Sequence, residues 1–346
     1  MTALIRQRLA TQRLIGDRFA TVAEAVGWFG AVQAQDYHAA MWALGQRMTS
    51  ATEATIEQAI AAREVLRTWP MRGTLHFVTA DDARWITQLM APRILRRGAR
   101  RHRELGLDAK TLTRSRSCLE RALTGGSSLT RPEAYAALER AKISVAGQRG
   151  IHILGHLALR GVLCIAAPRG KQQTFALLDE WIPRSRELTG DPALAELARR
   201  YVTSHGPATT ADFAWWSGLN LTEARHALTL ATGIEEAEGH WRAATVTSRR
   251  APGVHLLPMY DEYAVAYRDR SAILATADRA RGKNGIFAPI VLIDGRIAGT
   301  WGRVTKGTQV TVKLDLWRHV TAPVERALAV AARSYGAFVG RTVTVA

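Results

Sequence analysis

Residues 113–125 (TRSRSCLERALTG), 129–143 (LTRPEAYAALERAKI), 147–161 (GQRGIHILGHLALRG) and 162–178 (VLCIAAPRGKQQTFALL) decide the fold. The first segment reads as a helix closed by Gly125 and Gly126. In the second, Thr130 is an N-cap, Pro132 sits in the first turn and Glu133 completes a capping box, so a helix starts there. The third carries Ile151, Leu154, Leu157 and Leu159 as an inner face. The last is a pair of apolar strands around a Pro-Arg-Gly-Lys tip. Helix, helix, helix and basic hairpin make the winged form of the helix-turn-helix.

The same grammar recurs on both sides. Downstream, Asp191-Pro192 starts a helix, Thr209 and Asp212 open a second, and Asn220 with Glu223 caps a third. Segments 234–240 and 241–246 then form a wing around Gly239. This wing is acidic at Glu235, Glu236 and Glu238, so its expected role is structural. Upstream, segment 4–14 is a helix, and Thr21 with Glu24 caps a helix running to about Ala34. After an irregular segment, Ser50 and Glu53 cap another helix. The strand at 65–70, the tip Met71-Arg72-Gly73 and the strand at 74–78 form its wing. From residue 250 the pattern turns to strands (253–267, 287–304, 308–317), with Asp294-Gly295 as a hairpin signal, and a helix from about Pro323 closes the chain.

The predicted fold class is therefore α+β, three tandem winged-helix units followed by a β-rich C-terminal subdomain. The expected boundaries are 1–80, a basic linker helix at 81–110, then 111–180, 190–248 and 250–346.

Composition points the same way. The 346 residues hold 47 Lys+Arg against 30 Asp+Glu, a formal charge of +17, and all but six of the basic residues are arginine. Arginine presents a planar fork of donors matched to phosphates and base edges. GC-rich coding also enriches arginine, which weakens that inference. A hydrophobic fraction of 47% excludes a disordered chain. No run of about 18 apolar residues is present, which excludes a membrane-spanning helix. The N-terminal segment lacks a signal-peptide core, so a cytoplasmic, nucleoid-associated protein is expected. Cys118 and Cys164 make neither a disulfide framework nor a zinc site. The partner expected from charge is a polyanion, most simply nucleic acid.

Tandem winged helices by themselves describe a protein that grips a duplex, and a transcription regulator is the plainest example. The stretch Val32-Gln33-Ala34-Gln35-Asp36-Tyr37 argues for more. Residues two apart in extended chain line one side, so Gln33 and Gln35 can converge on one point. Glutamines at a helix end are, however, an ordinary feature. Asp36 reads as a cap or turn residue, with activation of a water nucleophile as the alternative. Asp261 and Glu262, near Arg268 and Arg270, read as a buried polar clamp, with the same catalytic alternative.

Segments 32–47 (VQAQDYHAAMWALGQR), 66–82 (LRTWPMRGTLHFVTADD) and 256–270 (LLPMYDEYAVAYRDR) resemble the bacterial AlkZ/YcaQ group of DNA glycosylases over almost the whole chain. In that group the catalytic motif is Gln-X-Gln in one branch and Gln-X-Asp in the other. Gln33-Ala34-Gln35 places this chain with the AlkZ-like branch. The resemblance implies catalysis by Gln33 and Gln35, removal of N7-alkylated purines and unhooking of crosslinks between guanines. By analogy it also implies either general repair or protection of a producer from its own genotoxin.

The chemistry suits neutral amides. Glutamine does not titrate and is a very poor general base. Alkylation at N7 makes the guanine cationic, so it leaves without protonation, and the amides have only to orient water, as a glutamine does in small GTPases. With no lysine near the motif, hydrolysis is expected rather than Schiff-base lyase chemistry. No cofactor is expected. His152 and His156 lie at i and i+4, yet no third ligand or HExxH pattern accompanies them, so no metal is expected either.

DNA contacts are expected from the first wing (Arg72, Met71 and His76) and from the linker helix (Arg93, Arg96, Arg97, Arg100 and Arg101). Further contacts are expected from Arg149 and His152 at the head of the third helix of the middle unit, and from Arg169 and Lys171 in its wing. Arg93, Arg96, Arg97 and Arg100 form one helical stripe. The partner expected is double-stranded DNA carrying alkylated purines, bound by a monomer. The alternatives are a non-enzymatic winged-helix regulator and an RNA- or protein-binding adaptor.

Overall fold

The computed structural model describes residues 2–243, 253–281 and 283–346. It is an α+β fold of two compact units, residues 57–194 and residues 1–56 with 195–346. No helix among the described residues is long and apolar enough to cross a membrane.

Within residues 57–194 the helices Ala109–Leu123, Arg131–Arg140 and Arg149–Leu159 precede the strands Leu163–Arg169 and Gln172–Leu177. Asp108 caps the first through the Thr111 amide. Thr130 and Glu133 close a capping box on the second. The third buries Gly150, Ile153, Leu154, Leu157 and Ala158. That face is turned from the one expected, leaving Ile151 and Leu159 half-buried. A helix of 3.6 residues per turn aligns 150, 153, 154, 157 and 158, whereas 151 and 159 fall to its sides. Leu119, Leu138, Ile153, Leu154 and Phe175 meet in one core cluster, each burial contributing about 1.5–3 kcal/mol.

Two hairpins that the sequence presents as separate wings share a sheet. Val65–Met71 pairs with Thr74–Thr79, Arg67 lies opposite Ile165, and the order continues through Gln172–Leu177 to Leu129–Thr130. Each hairpin thereby covers an exposed edge of the other. The helix Ala83–Glu104 follows, with Pro92 inside it.

In the other unit the strands Val254–Leu257, Ile290–Ile293, Arg296–Lys306 and Gln309–Leu316 run antiparallel. A last strand, Thr342–Val345, adds in parallel to Gln309–Leu316 after the helix Ala322–Phe338. This final strand was not anticipated. Asp294 and Gly295 turn with φ 49° and 76°. A Cβ on Gly295 would lie 2.2 Å from Ile5, so both the positive φ and the close approach require glycine.

Four local expectations change. The helix opened by Thr21 and Glu24 ends at Phe29, five residues early, because Gly30 takes a φ of 74°. The irregular segment after the glutamines is a helix, Tyr37–Gly45, whose apolar residues are buried almost all round and so show no sequence period. The cap of Glu53–Ala61 is Thr52, whose Oγ1 accepts from the Thr55 amide, and not Ser50. Residues 253–267 yield the strand Val254–Leu257 and then a short helix, Glu262–Val265, because Asp261 caps it. The acidic wing is present as Ile234–Ala237 and His240–Ala243, turning at Glu238 and Gly239; its expected continuation to residue 246 lies outside the described residues.

Candidate active site

Gln33 lies on a two-residue strand, Val32–Gln33, that follows the Gly30 helix stop. It is 7% exposed, whereas Gln35 is exposed, at a bend into the next helix. Asp36 starts that helix, its Oδ1 accepting from the Ala39 amide at 2.8 Å. The carboxylate nearest the glutamines in sequence is thus engaged as an N-cap.

Beneath the strand lies a polar network. Glu262 accepts the Gln33 amide on Oε1 at 2.7 Å and Trp216 Nε1 on Oε2 at 3.0 Å. His205 Nε2 faces the same Oε2 at 3.3 Å. Asp261 takes a bidentate pair from Arg47, 2.7 and 2.8 Å, and also accepts the Tyr263 amide at 2.9 Å. Arg47 uses its remaining donors on Gln12 O, Gln12 Oε1 and Ala43 O. All five of its N–H groups are therefore directed at acceptors. The expected clamp exists, but Arg47 closes it, and Arg268 and Arg270 do not. Arg270 Nε instead donates to Ala264 O, and the Arg268 amide to Asp212. Nearby, Arg8 pairs with Asp212 at 3.6 Å and lies over the Tyr267 ring, whose phenol burial pushes up to about 12. Nothing in the sequence around Arg47 marked it; its partner is 214 residues away.

The two glutamines belong to one unit and every predicted DNA-contacting residue to the other. Met71 and His76 are buried. His76 Nδ1 faces Thr74 O at 3.0 Å, so it carries the proton, leaving Nε2 to accept from Arg72 Nη2 at 3.3 Å. Arg96, Arg97, Arg100 and Arg101 are exposed along the helix Ala83–Glu104, and Arg93 is half-buried. Arg100 and Arg101 each pair with Glu104 at 3.0 Å. Such exposed pairs are worth little. Arg101 also donates to Gln148 Oε1 at 3.0 Å, across the head of the helix Arg149–Leu159.

At that head, Arg149 turns back onto Ser144 O and Leu105 O. His152 does not stand alone either: its ring and that of His156 each lie 5.5 Å from His102. Burial holds all three imidazoles below their ordinary range, His156 down to about 4. For His152 the lowering, by burial and by Arg101, favours the neutral imidazole. Arg169 in the second wing pairs with Glu133 at 2.8 Å and Ser128 O, while Lys171 is exposed. Among the described residues no group of three or more His, Cys, Asp or Glu is placed to hold a metal, and both cysteines are free and buried.

The model of the family described as DNA glycosylase AlkZ-like matches residues 26–338. The chain belongs to this family. It is an enzyme that acts on the N-glycosyl bonds of DNA. A Streptomyces sahachiroi protein described as an interstrand DNA cross-link repair glycosylase is 25% identical over 342 residues, covering 91% of each chain. The solved structure of the Streptomyces sahachiroi DNA glycosylase AlkZ superposes with a TM-score of 0.77 over the whole of both chains at 24% identity. Family membership gives Gln33-Ala34-Gln35 its interest; the surrounding geometry shows how this chain holds it.

Proposed function

We propose that this glycosylase is monofunctional and hydrolyses the N-glycosidic bond of N7-alkylated guanine, including bulky adducts and interstrand crosslinks. The observation that carries the reading is the pair of neutral amides at a strand end whose neighbouring carboxylate, Asp36, is occupied as a helix cap. Such a site presents two neutral amides, with Asp36 engaged through Oδ1, and suits a leaving group that is already cationic. Gln33 and Gln35 place the water at C1′, and the departing base needs no proton. The relative described as a cross-link repair glycosylase supports the crosslink part of the reading.

A duplex with a single N7-methylguanine is expected to yield an abasic product, and matched duplexes with uracil or hypoxanthine are not. Robust release of either neutral base sinks the reading. Sequence-specific operator binding with no base release favours the regulator instead.

The duplex grip is assigned to the exposed arginines of the helix Ala83–Glu104 and to Arg72, with Lys171 at the second wing. Arg96→Ala is expected to weaken binding equally on damaged and undamaged duplex. It should also flatten the slope of log affinity against log salt by about one, the value for one lost phosphate contact. An unchanged slope in a fluorescence-anisotropy salt titration removes Arg96 from the interface.

A further inference from the structure

We infer that Glu262 is a positioning residue for the reaction: its buried carboxylate fixes Gln33 through the main chain. The inference rests on the reading of Gln33 and Gln35 as the water-placing pair.

Glu262 is 2% exposed. Burying a carboxylate is unfavourable unless donors surround it, so its presence there calls for a reason. Two obligate donors, the Gln33 amide and Trp216 Nε1, address different oxygens of this one group, at 2.7 and 3.0 Å. A glutamine in its place accepts from only one of them and turns its own NH2 against the other. The site therefore selects an acceptor-only side chain.

The carboxylate is itself held. It opens the short helix Glu262–Val265, beside Asp261, which Arg47 grips from below. His205, fully buried, faces Oε2 with its ring stacked on Tyr201 at 4.8 Å and set edge-on to Phe29 at 5.4 Å. Trp216 is also fully buried.

What the carboxylate holds is short. Val32–Gln33 is a strand of only two residues. Glu262 anchors it at Gln33, and the Asp36 cap anchors the chain at the head of Tyr37–Gly45. Gln35 lies between these two anchors. Loss of the first removes a direct hold on Gln33, and a misplacement of about 1 Å in a positioned group costs about 100-fold in rate.

The test is single-turnover release from an N7-methylguanine duplex at saturating protein. Glu262→Gln is expected to slow release by about 10- to 100-fold, with duplex affinity within about twofold of the parent. Leu328→Ala, a core truncation in the helix Ala322–Phe338 of the same unit, is assayed alongside at a temperature where both variants are folded. A merely structural Glu262 would slow release no more than Leu328→Ala does, and that result, like a parent rate in Glu262→Gln, overturns the inference. Gln33→Ala/Gln35→Ala is run in parallel. If the double variant is inactive while Glu262→Gln is not, only the role of Glu262 falls; if the double variant keeps the parent rate, the pair reading falls and takes this inference with it. A readout on the parent protein needs no variant to fold. With glutamine-selective 15N labelling, the Gln33 amide proton is expected far downfield and slow to exchange, as for an N–H bonded to a buried carboxylate. A random-coil shift with fast exchange overturns the assignment.

Discussion

Gln33→Ala/Gln35→Ala is expected to reduce single-turnover release of N7-methylguanine by about 100- to 1000-fold, the range for removing preorganised polar groups from a reacting centre. Duplex affinity should hold, because the residues assigned to the phosphates lie in residues 57–194, the unit that does not contain the glutamines. If the two amides act on one water, as proposed, the single changes should fall short of additivity. Gln35 is exposed and its loss leaves the core intact. Gln33 is 7% exposed, and its truncation costs some packing as well. Circular dichroism must therefore show both variants folded. The measurement is the burst of abasic product at saturating protein. A double variant that releases base at the parent rate removes the amides from the mechanism.

The second large effect is on stability. Arg47 is 1% exposed, and its guanidinium holds both oxygens of Asp261. Arg47→Ala leaves that carboxylate buried without its cation, as well as leaving Gln12 and Ala43 acceptors unmet, and is expected to cost about 3–5 kcal/mol. Removing both charges with apolar residues, Arg47→Met/Asp261→Leu, is expected to recover much of the loss, since no isolated buried charge then remains. Urea unfolding followed by tryptophan fluorescence reports both. A loss under about 1 kcal/mol for Arg47→Ala shows that the pair is not the fastener described. Because Asp261 caps the helix that carries Glu262, the same variant should also slow base release at temperatures where it stays folded.

Much of the fold was legible in short-range chemistry. The capping boxes at Thr21, Thr130, Thr209 and Asn220 all form as their spacing predicts. Each needs only a side-chain oxygen and a carboxylate three residues on, a local fact independent of the rest of the chain. The hairpin at Asp294-Gly295 is local in the same sense. What was missed shares one cause. The helix Tyr37–Gly45 has no polar face to give it a period, since both its sides are covered: Trp42 donates to Leu256 O at 2.6 Å, and Gly45 lies so close to Phe338 that a Cβ there would come within 2.5 Å. The union of two wings into one sheet depends on Arg67 meeting Ile165, which no local signal announces.

The candidate site divides along the same line. By itself the sequence determined the motif, its two neutral amides and an excess charge of +17. Side-chain chemistry and spacing along the chain suffice for these. Only the tertiary structure decided what stands behind the motif. Glu262 reaches Gln33 across 229 positions and Asp261 reaches Arg47 across 214. It also decided which charges are taken up internally, Arg149 on carbonyls and Arg169 on Glu133, and which remain exposed on the helix Ala83–Glu104. A buried carboxylate is tolerated only where folding brings donors to it, and those donors come from elements whose proximity no local pattern encodes.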